Sequence, residues 1–182
     1  MPELLISVAI AAALLTASAV AIDGSFQAYR VNEEQSTLIQ SARLTLNRIA
    51  VGVRTTKLHQ PHTPALLALF TAGRMVADTG LDMFDANGVE LTFTYDAPGQ
   101  RLLAIYNGAS HVLASGVTAF TVTLEPMRSA ESIRTGGPFD LVRRATVLMS
   151  IKTAANTAQS SETTGKQTVT LSASVVPRRN TW

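Results

Sequence analysis

Three histidines, no cysteine and scattered carboxylates are all that this 182-residue chain offers to metal or acid–base chemistry. His59 and His62 stand three apart and could share a metal. They lie in His59-Gln60-Pro61-His62-Thr63-Pro64, however, where two prolines interrupt any helix and no third ligand is near, so a solvated linker is the simpler reading. Asp82, Asp85, Asn87 and Glu90 are calcium-type ligands, but their spacing is not that of a helix–loop–helix calcium site, and Asn87-Gly88 already reads as a turn. Arg143-Arg144 and Arg178-Arg179 would form a small basic patch if their strands pair. Without interleaved aromatics this reads as a solvated strand end rather than a DNA-binding surface. No Ser-His-Asp set, paired carboxylates or phosphate loop stands out, and the missing cysteines remove disulfides, iron–sulfur clusters and thiolate zinc sites. The expectation is a protein that is not an enzyme and uses no cofactor, metal or small-molecule substrate.

One carboxylate remains, and its surroundings set it apart. Glu3 precedes residues 4–22, which carry no charge and only Ser and Thr as polar residues. About 19 residues rising ~1.5 Å each give roughly 28 Å of helix, close to the hydrocarbon thickness of a bilayer. Leu4, Leu5, Ile6, Val8, Ile10, Leu14, Leu15, Val20 and Ile22 are distributed all round it, so burial in lipid or in a filament interior is expected rather than packing on one side. Pro2 suits the first helical turn, where Glu3 meets the positive end of the helix dipole. An ionisable group beside such a span is a functional candidate. The first basic residue is Arg30, so the span lacks the basic flank of an ordinary anchor. A cleaved secretory signal is the competing reading. Ala17-Ser18-Ala19 and Ala19-Val20-Ala21 fit its cleavage site, but a basic n-region is missing.

The elements beyond the span must give it something to carry. Ile39, Ala42, Leu46, Ile49 and Val53 recur three and four apart, so the apolar half (1–23) continues into an amphipathic helix over 24–56. A linker over 57–64 follows, with Thr63 and Pro64 as N-cap and first turn of a short helix ending near Thr71. From Gly80 the period changes to two. Strands are expected over 89–95, where Val89, Leu91, Phe93 and Tyr95 alternate with a polar face of Glu90, Thr92 and Thr94, and over 101–106, 111–115 and 117–124, with a hairpin at Asn107-Gly108. A looser segment covers 125–142. Two later strands carry Ala145, Val147, Met149 and Ile151, then Val169, Leu171, Ala173 and Val175, joined by an exposed Ser/Thr-rich connection over 154–166. The fold class is α+β, a long helix laid on one antiparallel sheet spanning about 80–177 within a globular domain of 24–182. The net charge of +2 gives no argument for nucleic acid.

Met1-Pro2-Glu3-Leu4-Leu5, the Ala- and Val-rich span and the amphipathic helix with Arg43 to Arg48 resemble the mature N-terminus of type IV pilins and type II secretion pseudopilins. The order of the strands, ending in Val-Pro-Arg-Arg-Asn, is most similar to J-type minor pseudopilins and W-type minor pilins. The resemblance implies a pilin-like fold and a minor structural subunit of a bacterial envelope filament. The subunit would be held in the inner membrane by one pass, with its globular domain in the periplasm, before assembly with other pilin or pseudopilin subunits. It implies cleavage by a prepilin peptidase and N-terminal methylation, with Met1 standing two residues inside the mature chain and behind a leader. Glu3, with Pro2, would serve assembly by pairing with a neighbouring subunit's terminal amine. The alternative is a secreted or periplasmic β-rich binding protein whose signal is removed.

Overall fold

The helix that opens the chain does not end where the uncharged run ends. In the computed structural model, which describes residues 2–152 and 168–178, α1 (Pro2–Thr55) is one helix of 54 residues. The chain divides into two compact units, Met1–Thr37 and Leu38–Trp182. The described part of the first unit is helix throughout, with nearly all its side chains exposed.

In the second unit the remainder of α1 is one-sided. Ala42, Leu46, Ile49 and Val53 are buried and Ile39 is half-buried, as the three-and-four spacing predicts. Gly52 lies on the same face and lets the sheet approach closely: a Cβ there would stand 2.9 Å from Met83 Cε and 3.3 Å from Phe93 Cε2, so a larger residue would have to displace the end of Met83. The last carbonyls of the helix are satisfied locally. Thr56 Oγ1 donates to Gly52 O at 2.7 Å, and His59 Nε2 donates to Val53 O at 2.9 Å.

After α1 come β1 (Leu58–Pro61), α2 (Pro64–Thr71), β2 (Val76–Asp78), β3 (Gly80–Phe84), β4 (Glu90–Asp96), β5 (Arg101–Tyr106), β6 (Ala109–Ser115), β7 (Val117–Met127), α3 (Ala130–Thr135), β8 (Leu141–Lys152) and β9 (Thr168–Val175). The fold is α+β. The expected single sheet is two, a five-stranded one ordered β1-β3-β4-β5-β6 and a four-stranded one ordered β2-β7-β8-β9, with all pairs antiparallel. Gly116 makes the transfer between them. It is the only residue between β6 and β7, its φ is +74°, and a Cβ would come 2.6 Å from Lys152 O, so the position is reserved for glycine. Residues of both sheets, among them Leu81, Met83, Leu102, Phe120, Val147 and Met149, join α1 and Phe70 in one core.

Three further expectations are corrected. The linker contains a strand, β1, because Pro61 falls at the end of an edge strand, where a missing N–H costs no ladder bond. The loose segment is mostly regular: β7 runs through Pro126 at a register shift, and α3 is capped by Ser129 accepting from Ser132 N and by left-handed Gly136. Thr92, expected on the polar face of its strand, is buried, since its hydroxyl donates to Asp82 at 2.9 Å and His62 covers that carboxylate. The connection over 154–166 lies outside the described residues.

Two local devices hold the sheets in register. Tyr95 donates its backbone N–H to Thr79 O and its hydroxyl to Val117 O, both at 3.1 Å. At the start of α2, Thr63 stands at the N-cap position, but its side chain does not cap the helix. Its hydroxyl and N–H both donate to the buried Asp78 carboxylate at 2.7 Å, and Thr79 N donates to it as well. Asp78→Ala is therefore expected to strand these donors and cost about 2–3 kcal/mol, charge-assisted bonds being the stronger class. A lowered urea midpoint at unchanged slope is the measurement that checks it.

Candidate functional site

The residues that the sequence singles out at the N-terminus all lie on α1. Pro2 begins the helix, Glu3 occupies its first turn, and Leu4, Leu5, Ile6, Val8, Ile10, Leu14, Leu15, Val20 and Ile22 are each more than half exposed on it. The helix is long and apolar enough to cross a membrane, and none of its most apolar stretch is buried within the protein. The few hydroxyls of this stretch turn inward. Ser7 donates to Glu3 O at 2.9 Å, Thr16 to Ala12 O at 2.8 Å and Ser18 to Leu14 O at 2.8 Å, so each uses a carbonyl one turn back. A helix whose backbone and hydroxyls are satisfied internally needs no water around it.

Polarity returns at one end. Asp23 accepts from Gln27 Nε2 at 2.9 Å, Ser25 bonds back to Ala21 O, and exposed Phe26 and Tyr29 follow within two turns of Ile22. Aromatic side chains just beyond an apolar run suit the boundary between hydrocarbon and headgroups. These two lie beyond Ile22 and are not among the residues expected to form the span. Their position relative to the end of the run was the available signal.

The other candidate clusters take up local structural roles. His59 and His62 do not converge: His59 is buried against the end of α1, while His62 Nδ1 meets Asp82 Oδ1 at 2.8 Å. Burial pushes the His59 pKa down to about 4, only partly opposed by its bond to Val53 O. Asp85 accepts from Asn87 N at 2.7 Å and Val89 N at 2.8 Å, so its carboxylate shapes the turn. Among the described residues no group of three or more His, Asp or Glu is placed to hold a metal. Arg143 and Arg144 both face Glu125, at 3.6 and 3.1 Å, which offsets part of their charge. Arg178 is among the described residues and Arg179 is not.

No family model, curated protein or solved structure matches this chain. The long N-terminal helix with an antiparallel β-domain is compatible with a pilin-like architecture.

Proposed function

We propose that the chain is a minor pilin-like structural subunit of a bacterial type II secretion pseudopilus or type IV pilus, and not an enzyme. The observation that carries this reading is α1 itself. One helix has an apolar half that no part of the protein covers and a one-sided half that is packed in the β-domain's core. Such a helix needs an apolar environment from outside. The reading gives it two in succession, the inner membrane and then neighbouring helices in the filament, a transfer that costs little hydrophobic free energy.

In this reading the β-domain lies in the periplasm, a prepilin peptidase processes and methylates the N-terminus, and other pilin or pseudopilin subunits are the partners. Glu3 supplies the register, its carboxylate pairing with a neighbour's terminal amine where an unpaired charge is costly. Head-to-tail contacts of this heterologous kind do not close and so build a helix. Glu3→Ala is expected to leave the protein folded and membrane-bound while lowering its recovery in sheared filaments roughly tenfold or more. Undiminished incorporation would falsify the register mechanism. Mass measurement of the native N-terminus tests the wider reading: an N-methylated chain that keeps the apolar run supports it, and a chain beginning near Val20 or Ile22 supports a secreted binding protein instead.

A further inference from the structure

The chain carries two Asn-Gly pairs, Asn87-Gly88 and Asn107-Gly108, and both stand exposed in turns of the five-stranded sheet. Asn-Gly is the dipeptide most open to self-modification, because glycine has no side chain to shield its backbone nitrogen or to hinder the bending of the chain. That nitrogen gives up its proton to solvent and attacks the Asn Cγ. The new N–Cγ bond replaces the Cγ–Nδ2 bond, ammonia leaves, and a five-membered imide remains. Water then opens the imide at either carbonyl. One opening gives aspartate; the other gives isoaspartate, in which the main chain runs through Cβ and Cγ. The balance is one amide and one water consumed, one carboxylate and one ammonium formed.

Folding treats the two pairs differently. The turn at Asn87 is tied on every side. Asp85 N–H donates to Val89 O at 3.0 Å and Gly88 N–H donates to Asp85 O at 3.2 Å. The Asp85 carboxylate accepts from Asn87 N at 2.7 Å and from Val89 N at 2.8 Å. The nitrogen that would attack is therefore already committed, and the strands that this turn joins, β3 and β4, each have a neighbour on both sides. At Asn107 the two-residue turn has φ angles of 50° and 76°. Among the described residues nothing hydrogen-bonds its Gly108 N–H or its Asn107 side chain. One of its strands, β6, is the edge of the sheet and pairs with β5 alone, and strand ends of this kind open at little cost.

We propose that Asn107 is a self-modification site, where attack by the Gly108 nitrogen yields isoaspartate and aspartate, while the same chemistry at Asn87 is held back by the fold. The two products differ in consequence. Isoaspartate adds a methylene to the main chain of a loop of only two residues, so the Tyr106–Ala109 pair that closes the hairpin loses its register and β6 loosens from its tip. Aspartate adds a charge alone, in a cleft that Glu90 also lines.

The test ages the full-length chain in detergent micelles in mildly alkaline buffer and follows both turns by peptide mapping. Each conversion adds one mass unit, and an isoaspartyl methyltransferase with a labelled methyl donor marks the isoaspartate. In the folded chain Asn107 is expected to convert roughly tenfold faster than Asn87, the scale set by one net hydrogen bond. In the chain unfolded by urea the two rates should come together, because both asparagines precede glycine. Asp85→Ala, which frees part of the other turn, should speed Asn87 and leave Asn107 as it was. Amide exchange in β6 should quicken as isoaspartate accumulates, whereas Asn107→Asp, with the charge but no added methylene, should leave it unchanged. Equal rates at the two sites in the folded chain, the same ratio in urea as in the fold, or methyl label confined to Asn87 would each overturn the proposal.

Discussion

Leu14→Arg combined with Leu15→Arg is expected to move the full-length chain from the carbonate-resistant membrane pellet to the supernatant, with the β-domain's circular dichroism unchanged. The expectation rests on comparing two magnitudes. The nine large apolar residues of the run, Leu4 to Ile22, contribute roughly 0.3–0.6 kcal/mol each to insertion, about 3–5 kcal/mol together. Two arginines near the middle of the span cost about 5–7 kcal/mol and also remove two leucines, which exceeds that total. The substituted residues are 64% and 72% exposed, so nothing in the protein's own core is disturbed. Retention of the double variant in the pellet would mean that something other than this helix holds the chain there. Extraction of the unsubstituted chain by carbonate would remove the membrane stage of the proposed life cycle. The same variant should be missing from filaments, whereas Glu3→Ala should be missing from filaments only.

Acid is expected to weaken the β-domain through His59. The direction follows from proton counting. With its pKa lowered from 6.5 to about 4 by burial, the folded state holds fewer protons on this residue than the unfolded chain between those values. Stability therefore rises with pH across that window, is fully present above about pH 6.5, and is lost as the pH falls toward 4. A shift of this size corresponds to about 3 kcal/mol. The physical content is that the unfolded chain charges the imidazole freely, whereas in the fold the proton would go to Nδ1, which has no acceptor nearby in a mainly apolar wall. Urea midpoints of the full-length chain in mild detergent at pH 7 and pH 4 measure the loss, and His59→Gln isolates it. The Gln amide can still donate to Val53 O but does not titrate, so its pH dependence should be flatter by about that amount. Equal slopes for the two proteins would sink the assignment. Asp96 adds a contribution elsewhere on the scale, since the Arg101 guanidinium beside it holds its carboxyl below the usual carboxylate range.

What could be read in advance was whatever local chemistry decides. The apolar run needs no partner to be recognised, because its lack of a polar face is a property of the segment alone. Asn107-Gly108 was legible for a similar reason: its positive φ angles, 50° and 76°, belong to the turn itself. Ile49 and Val53 declared their burial through helical spacing. The parts missed are those settled by distant residues. β2 has only three residues and exists because Val76, Ala77 and Asp78 pair with Leu124, Thr123 and Val122. Pro61 reads as a breaker until β3 is known to lie on one side of it only. Thr92 looks like a solvent-facing threonine until Asp82 and His62 close over it. Of the candidate site, the span and Glu3 were legible from residue type, whereas the cleft beside His59 needs four separated stretches, around Leu58, Phe70, Phe84 and Phe139, before it has walls.

The Tyr95 clasp has a consequence for the order of folding. β2 and β7 are neighbours in one sheet, although β3 to β6 lie between them in sequence and belong to the other. Closing an open loop of roughly 40 residues costs about 3 kcal/mol in chain entropy beyond a constant, before any contact rewards it. Tyr95, in the middle of that loop, bonds the residue after β2 through its backbone and the first residue of β7 through its hydroxyl. Once the meander has formed by its short-range hairpins, the two ends are tethered to one residue. With Tyr95 bonded at both places, the stretch left to close between β2 and β7 is shorter, so a meander that forms first would lower the entropic cost of its neighbour.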